Sequence, residues 1–302
     1  MDDPRQLPII QKPREVGRAP LFEKIGIVGL GLIGGSIALA SRHVWPTGLV
    51  VAVDNKDVLE KAMVLHAIDV AADDAVVLAE VDLVVLAAPV RQNLERLKIL
   101  PDHVKGAAIV TDTGSTKREI VEAAKALPAR LTFVGGHPLG GAARGGIEHA
   151  RPDLFSGRPW LFTPDASVPR GALDKLFAFT GSLGALPRTL TAHEHDHLLA
   201  YISHLPQLVS SALMHVIGEA AGREGLGLTG RGLQDTTRLA SSPASIWRDV
   251  CASNADELGQ ALETLIKVLS DLRGDLQRAE TLEQIFESAN RWRDELQNSK
   301  SS

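Results

Sequence analysis

The stretch KIGIVGLGLIGGS, Lys24 to Ser36, constrains this chain more than any other. A short apolar run ends in Gly29, Gly31 and Gly34, spaced G-x-G-x-x-G, and a helix-forming segment follows. Strand, glycine turn and helix in that order open a doubly wound α/β domain that binds a dinucleotide. Gly29 permits the tight turn. Gly31 lets backbone approach a pyrophosphate, and Gly34 lets helix and strand pack closely. The helix start at Leu32 and Ile33 then offers free N–H groups and a positive dipole end to the phosphates. Asp54 closes a second apolar run, LVVAVD. There a carboxylate accepts hydrogen bonds from ribose hydroxyls and repels a 2′-phosphate, so NAD is expected rather than NADP.

Four further runs follow: VDLVVLAAP, GAAIVTDTG, LTFVGGHP and RPWLFTP. All are short, rich in Val, Ile and Leu, and do not alternate apolar with polar. Strands buried on both faces of a parallel sheet read this way. Helix-like segments at 32–42, 90–100 and 115–127 separate several of them. Ala88 and Pro89 at the end of the third run, and Gly114 at the end of the fourth, complete the expected cofactor contacts.

After about Thr189 the strand runs stop. Leu198, Leu199, Ile202, Leu205, Leu208, Val209, Ala212, Leu213, Val216 and Ile217 cover most sides of one long helix, which predicts a buried one. Pro206 lies inside it and predicts a kink. Leu258, Leu262, Leu265, Leu269, Leu272 and Leu276 form an a/d seam that asks for a partner helix, in this chain or in a second copy. A final helix is expected over 282–296. The layout is thus a tail (1–21), a Rossmann-type α/β domain (22–188) and an all-α domain (189–298).

Composition narrows the function. A net charge of −5, with no basic block, disfavours nucleic acid and membrane surfaces. The N-terminus has Pro4, Pro8 and Pro13 but no apolar core of a signal peptide, so a flexible tail is expected. No apolar run reaches the roughly 18 residues of a membrane span, and a cytoplasmic protein is expected. Cys251 is the single cysteine, read as a small hydrophobe rather than a nucleophile.

HEHDH, His193 to His197, contains the H-E-x-x-H spacing of a zinc hydrolase. A catalytic zinc needs at least three protein ligands, and Ala200 and Ser203 stand where the extended pattern wants Gly and His. The preferred reading is a helix start, with Thr191 as N-cap and Glu194 completing a capping box. No metal is expected.

GLGLIGGSIALA, VVLAAPV, VTDTGSTK, GGHPLGG, DLFSGRPWLFTP, HDHLLAYISHLPQLVSSAL and DTTRLASSPASIW occur in this order. Together they resemble the prephenate/arogenate dehydrogenase family of tyrosine biosynthesis, over residues 22 to 290. The resemblance implies a helical dimerisation domain, hence a homodimer, and oxidative decarboxylation of prephenate to 4-hydroxyphenylpyruvate with NAD. Hydride leaves the hydroxyl-bearing ring carbon, the ring carboxylate departs as CO₂ and the ring becomes aromatic. The resemblance gives His137 as the base that takes the hydroxyl proton, a task suited to neutral imidazole. It places Ser115 in the site, orienting substrate oxygen or nicotinamide, with a plain N-cap as the other reading. Arg238 resembles the arginine that grips the ring carboxylate, and His204 in SHLP the histidine near the substrate side chain. Trp247 is expected as a wall of the site. Ala142 and Ala143 stand where relatives often carry polar groups, and Gln207 where prephenate-preferring relatives often have His. Arogenate, or both substrates, therefore remains the alternative. Two other classes compete: a β-hydroxyacid dehydrogenase, which would need a lysine that 181–204 lacks, and a non-catalytic NAD-binding sensor.

Overall fold

Alternate residues of the apolar runs point to opposite sides of a pleated strand. In this chain both sides are covered, which is why the runs show no polar alternation. The computed structural model describes residues 19–141 and 144–298. Strands β1 (Lys24–Val28), β2 (Leu49–Val53) and β4 (Leu83–Leu86) lie side by side in an eight-stranded sheet. Ile25, Ile27, Val50, Ala52, Leu83 and Val85 enter one hydrophobic cluster. Val28, Val51, Val53, Val84 and Leu86 enter the other. Helices α1 (Leu32–Val44), α2 (Lys56–Val64), α3 (Val90–His103), α4 (Arg118–Ala124) and α5 (Arg170–Ser182) connect or follow strands β3 (Val70–Ala72), β5 (Ala108–Asp112), β6 (Leu131–Pro138), β7 (Pro159–Thr163) and β8 (Leu186–Thr189).

The strand order is β3-β2-β1-β4-β5-β6-β7-β8. The chain runs outward from β1 to β3, then crosses back to β4, so the order reverses between β1 and β4. Ligands of open α/β sheets bind at such a switch point. β1 to β6 pair in parallel, but β7 runs antiparallel to β6, with His137 opposite Leu161. This departs from the all-parallel expectation. A parallel neighbour needs a long crossover. The described part of 139–158 holds only the 3₁₀ turn Ile147–His149, so the chain returns beside β6 in the opposite sense. Two strands were not evident as runs: β3 is three residues long, and β8 contains Pro187, which an edge strand tolerates.

Contacts divide the chain into two units. One extends through Asp196 and takes in Ser242–Val250; the other is His197–Ser241 with the residues from Cys251 on. The composition shift near Thr189 thus falls a little before the division, because the first half of α6 (Ala192–Leu199) belongs with the sheet.

In the helical unit a π turn, Ala200–His204, leads into α7 (Leu205–Leu226). Pro206 has no N–H to offer the carbonyl four residues back, and the wider turn stands where that hydrogen bond is lost. α7 packs against the 3₁₀ turn Arg238–Ser241 and against α10 (Ala255–Asp275), which also meets α11 (Glu280–Asn298); α8 (Arg231–Thr236) precedes the turn and α9 (Ala244–Ser253) follows it. The expectation that the apolar helix is buried does not hold within one chain. Val216 is 62% exposed, Leu269 on the seam helix is 54% exposed, and Leu276, just past the end of that helix, is 69% exposed. Among the described residues no helix is long and apolar enough to cross a membrane. The expected tail lies mostly outside the described residues, as do Ala142 and Ala143.

Candidate active site

The glycine turn has the geometry its spacing requires. Gly29 adopts φ +96°, and a Cβ there would stand 2.7 Å from the Ala88 backbone nitrogen. A Cβ on Gly34 would collide with the Gly29 carbonyl oxygen, whereas one on Gly31 would meet nothing within 4 Å. So Gly29 and Gly34 close the turn onto the sheet, and Gly31 faces open space. α1 starts at Gly31 with no side-chain cap, and its first N–H groups are those a phosphate would accept from.

Two cavities flank this turn. One, of about 460 Å³, is lined by Gly29, Gly31, Asp54, Ala88, Pro89, Gln92 and Arg96. The other, of about 470 Å³, is lined by Gly31, Leu32, Ile33, Ala88, Pro89, Gly114, Ser115 and Trp247, among others. Every expected cofactor residue except Gly34, which packs helix to strand, lines one or both. Asp54 caps the end of β2: Oδ2 accepts from the Leu30 N–H at 2.6 Å, and Oδ1 accepts from the Asn55 backbone and side-chain nitrogens at 2.6 and 2.8 Å. The glycine cradle, the uncapped helix start and the carboxylate at the strand end fit a dinucleotide.

Ser115 lines the second cavity but is not the N-cap of α4, which begins at Arg118. A residue distant in sequence does that work. Asp196 accepts from the Lys117 and Arg118 backbone N–H groups at 2.7 and 2.9 Å, and from Arg118 Nε at 3.2 Å. Beneath this turn Lys117 is wholly buried, paired with Asp112 and donating to the Gly136 carbonyl at 2.8 Å. Burial lowers the Lys117 pKa; the Asp112 carboxylate opposes that shift. Asp112 in turn accepts from the Gly114 N–H at 2.8 Å and the Gly136 N–H at 3.0 Å. One buried ion pair thus joins the strand that carries His137 to the loop that carries Ser115.

His137 is the penultimate residue of β6. Its Nδ1 lies 2.9 Å from His195 Nε2, and His195 Nδ1 lies 2.8 Å from Asp196 Oδ1. His195 and Asp196 are both fully buried. Neither was singled out from sequence, although both sit in the HEHDH motif. His137 does not line either cavity described above, whereas Ser115 and Trp247 share the second.

The outer residues of that motif do other work. Thr191 and Glu194 form the expected capping box: Glu194 N–H donates to Thr191 Oγ1 at 3.1 Å, and the Glu194 carboxylate accepts from the Thr191 N–H at 2.8 Å. In the helical unit His197 Nδ1 lies 2.8 Å from Glu257 Oε2. Among the described residues no group of three or more His, Cys, Asp or Glu side chains could hold a metal ion. Cys251 is half-buried, and burial raises its thiol pKa.

The helical unit also carries Arg238 and His204. Arg238 is exposed and opens the 3₁₀ turn. Gln207, on α7, donates to the Leu239 carbonyl at 2.8 Å and so ties that turn to the helix. His204 ends the π turn, is buried, and has Nδ1 3.3 Å from the Asn254 side-chain amide.

Comparison with known proteins places these features in one lineage. Residues 37–186 match the family described as prephenate dehydrogenase, nucleotide-binding domain, and residues 191–290 match prephenate dehydrogenase, dimerization domain. The chain is 32% identical to the prephenate dehydrogenase of Bacillus subtilis over 282 residues, covering 91% of this chain and 76% of that one. The crystal structure of prephenate dehydrogenase from A. aeolicus, in complex with hydroxyphenyl propionate and NAD⁺, superposes with a TM-score of 0.84 at 29% identity, covering 91% of this chain and 98% of that one. Synechocystis arogenate dehydrogenase gives a TM-score of 0.77 at 31% identity, covering 90% and 99%.

Proposed function

The chain belongs to the prephenate dehydrogenase family, and we propose that it converts prephenate to 4-hydroxyphenylpyruvate by NAD-dependent oxidative decarboxylation, a step of tyrosine biosynthesis. The observation that carries this reading is the glycine cradle at the sheet's switch point, opening onto the cavity lined by Ser115 and Trp247.

NAD, when bound, supplies the hydride acceptor. The chain's own residues do the rest. The N–H groups at the start of α1 receive the pyrophosphate, and Asp54 receives the ribose hydroxyls. His137 takes the proton of the substrate hydroxyl as the C–H bond breaks. Loss of the ring carboxylate as CO₂ leaves an aromatic ring, and that gain drives the reaction forward. Ser115 orients the reacting oxygen. Arg238 holds a substrate carboxylate with a planar, two-pronged donor set, His204 binds the substrate side chain, and Trp247 walls the site.

The helical unit pairs two copies of the chain. Support comes from the dimerization-domain match and from the exposed apolar residues of α7, α10 and α11, among them Val216, Leu269 and Trp292. A surface of that kind asks for a partner. Light scattering of the purified protein should give twice the chain mass.

Arogenate is the second reading, favoured by Gln207 and by the likeness to an arogenate dehydrogenase. Purified protein with NAD and either substrate, followed by NADH absorbance, separates the two, with His137→Asn run alongside. Turnover of prephenate that the variant loses while still binding NAD supports the reading. Turnover of arogenate alone moves the substrate. No NADH from either, in folded protein that binds NAD, refutes it.

A further inference from the structure

The chain of contacts behind His137 fixes where its proton sits. An ionised carboxylate only accepts hydrogen bonds. Asp196 Oδ1 lies 2.8 Å from His195 Nδ1, so that nitrogen carries a proton and donates it. A neutral imidazole has one N–H, which leaves His195 Nε2 as an acceptor. It lies 2.9 Å from His137 Nδ1. His137 therefore donates from Nδ1, and its lone pair is on Nε2.

The charge states this requires are the ones the surroundings favour. His195 is faced by His137 from β6, by Asp196 from its own helix, by Lys117 at the start of α4 and by Asp112 from β5, and Asp196 in turn accepts from the Arg118 N–H. Burial lowers the His195 pKa and keeps the ring neutral, though Asp196 pulls the other way. Burial works against the Asp196 carboxylate, but the His195 hydrogen bond and the Arg118 and Lys117 N–H groups outweigh it and hold its pKa down.

The geometry is also braced at both ends. Asp196 is pinned by the Lys117 and Arg118 backbones, and the Lys117 side chain holds the Gly136 carbonyl, one residue before His137. The same lysine therefore anchors the first and last members of the relay.

Resting on the dehydrogenase reading, we propose that His195 and Asp196 are positioning residues for His137: they lock it in the Nδ1–H tautomer and support the imidazolium formed when the substrate hydroxyl gives its proton to Nε2. The proton stays on His137, and none passes to His195 or Asp196. In serine hydrolases a carboxylate does this directly for the histidine base; here a neutral imidazole lies between carboxylate and base.

The test compares His195→Leu, which removes the acceptor, with His195→Gln, which restores one of similar reach. With prephenate, the Leu variant should lose kcat by on the order of 100-fold, the low end of a general base's contribution. KM and NAD affinity should stay within about threefold of the unaltered protein, given that a removed transition-state interaction acts on kcat. The Gln variant should recover most of the loss. Since the supported imidazolium is the protonated state, losing its support lowers the His137 pKa. The acid limb of the kcat profile should therefore move to lower pH in the Leu variant. Unchanged kcat and acid limb would overturn the proposal, as would equal loss in both variants with an unshifted limb. Imidazole ¹⁵N shifts give a reading independent of turnover, with His137 assigned by its absence in His137→Asn. Nδ1–H in the unaltered protein and a mixture in His195→Leu supports the lock, even in a protein that turns over neither substrate, where only the dehydrogenase reading would fall. Nε2–H in the unaltered protein overturns it.

Discussion

Asp54 holds two things at once, and two substitutions separate them. Its Oδ2 accepts from the buried Leu30 N–H, in the middle of the glycine turn, and its Oδ1 accepts from Asn55. In the proposed complex it also receives the ribose hydroxyls. Asp54→Asn keeps an acceptor for Leu30 but removes the charge. A hydrogen bond to a charged group contributes about 1.5–3 kcal/mol, so NAD affinity should fall by about 10- to 150-fold. The repulsion of a 2′-phosphate disappears with the charge, so NADP should bind no worse, and the preference for NAD should shrink by a similar factor. Asp54→Ala also strands the Leu30 N–H, at about 1–3 kcal/mol. For a domain of this size each kcal/mol lowers Tm by about 2–4 °C, so the Ala variant should melt about 2–12 °C lower and the Asn variant close to the unaltered protein. Calorimetric titration with both nucleotides, alongside thermal melts, reads all four quantities. If NAD and NADP weaken equally in Asp54→Asn, the carboxylate shapes the turn and does not read the ribose.

Three further outcomes follow from single contacts. Gly34→Ala sets a Cβ against the Gly29 carbonyl oxygen, which is backbone and cannot rotate away; α1 must shift, at about 1–3 kcal/mol, and both Tm and NAD affinity should drop, with no change in either counting against the packing role. Gln207→Ala releases the turn that carries Arg238; at about 1 kcal/mol for one hydrogen bond, KM for prephenate should rise about fivefold with kcat nearly unchanged, and steady-state kinetics separates the two. The buried dyad makes stability fall with acid. The folded pKa values of His195 and Asp196 both lie below their unfolded ones, so the unfolded chain binds protons first and stability is lost as pH falls below about 6.5, further through the carboxylate range. Melts between pH 7.5 and 5 should show this, with a flatter upper part of the profile in His195→Leu.

The sheet was legible where burial on both faces wrote a continuous apolar run, as in β1, β2 and β4. It was not legible at β3 and β8, which are short edge-side strands that bury little and so leave no apolar signature. The reversal at β7 was hidden for a different reason. Strand direction depends on what lies between strands, and the segment after Pro138 is rich in glycine and shows no helical period either way. The apolar all-round pattern of α7 predicted burial, and within one chain Val216 is exposed; sequence periodicity does not say what covers such a face.

The site divides along the same physical line. Gly29, Gly31, Gly34 and Asp54 act through local backbone geometry, so their spacing is enough to find them. His195 and Asp196 act through contacts 58 and 79 residues away in sequence, and no local spacing encodes a long-range hydrogen bond. The HEHDH motif drew attention to His193 and His197 because a helix sets those two on one face, the face a metal would use. The residues between them leave that face and turn inward, His195 to His137 and Asp196 to the start of α4. That inward pair also removes a difficulty with Ser115. Its loop needs no side-chain cap of its own, because Asp196 satisfies the N–H groups at the start of α4, and the serine hydroxyl is not committed to capping. A single buried carboxylate thus serves the helix, the histidine behind the proposed base, and through Lys117 the strand that carries His137. Substituting Asp196 should therefore disturb stability and catalysis together, whereas His195→Leu should leave the helix start intact and isolate the catalytic part.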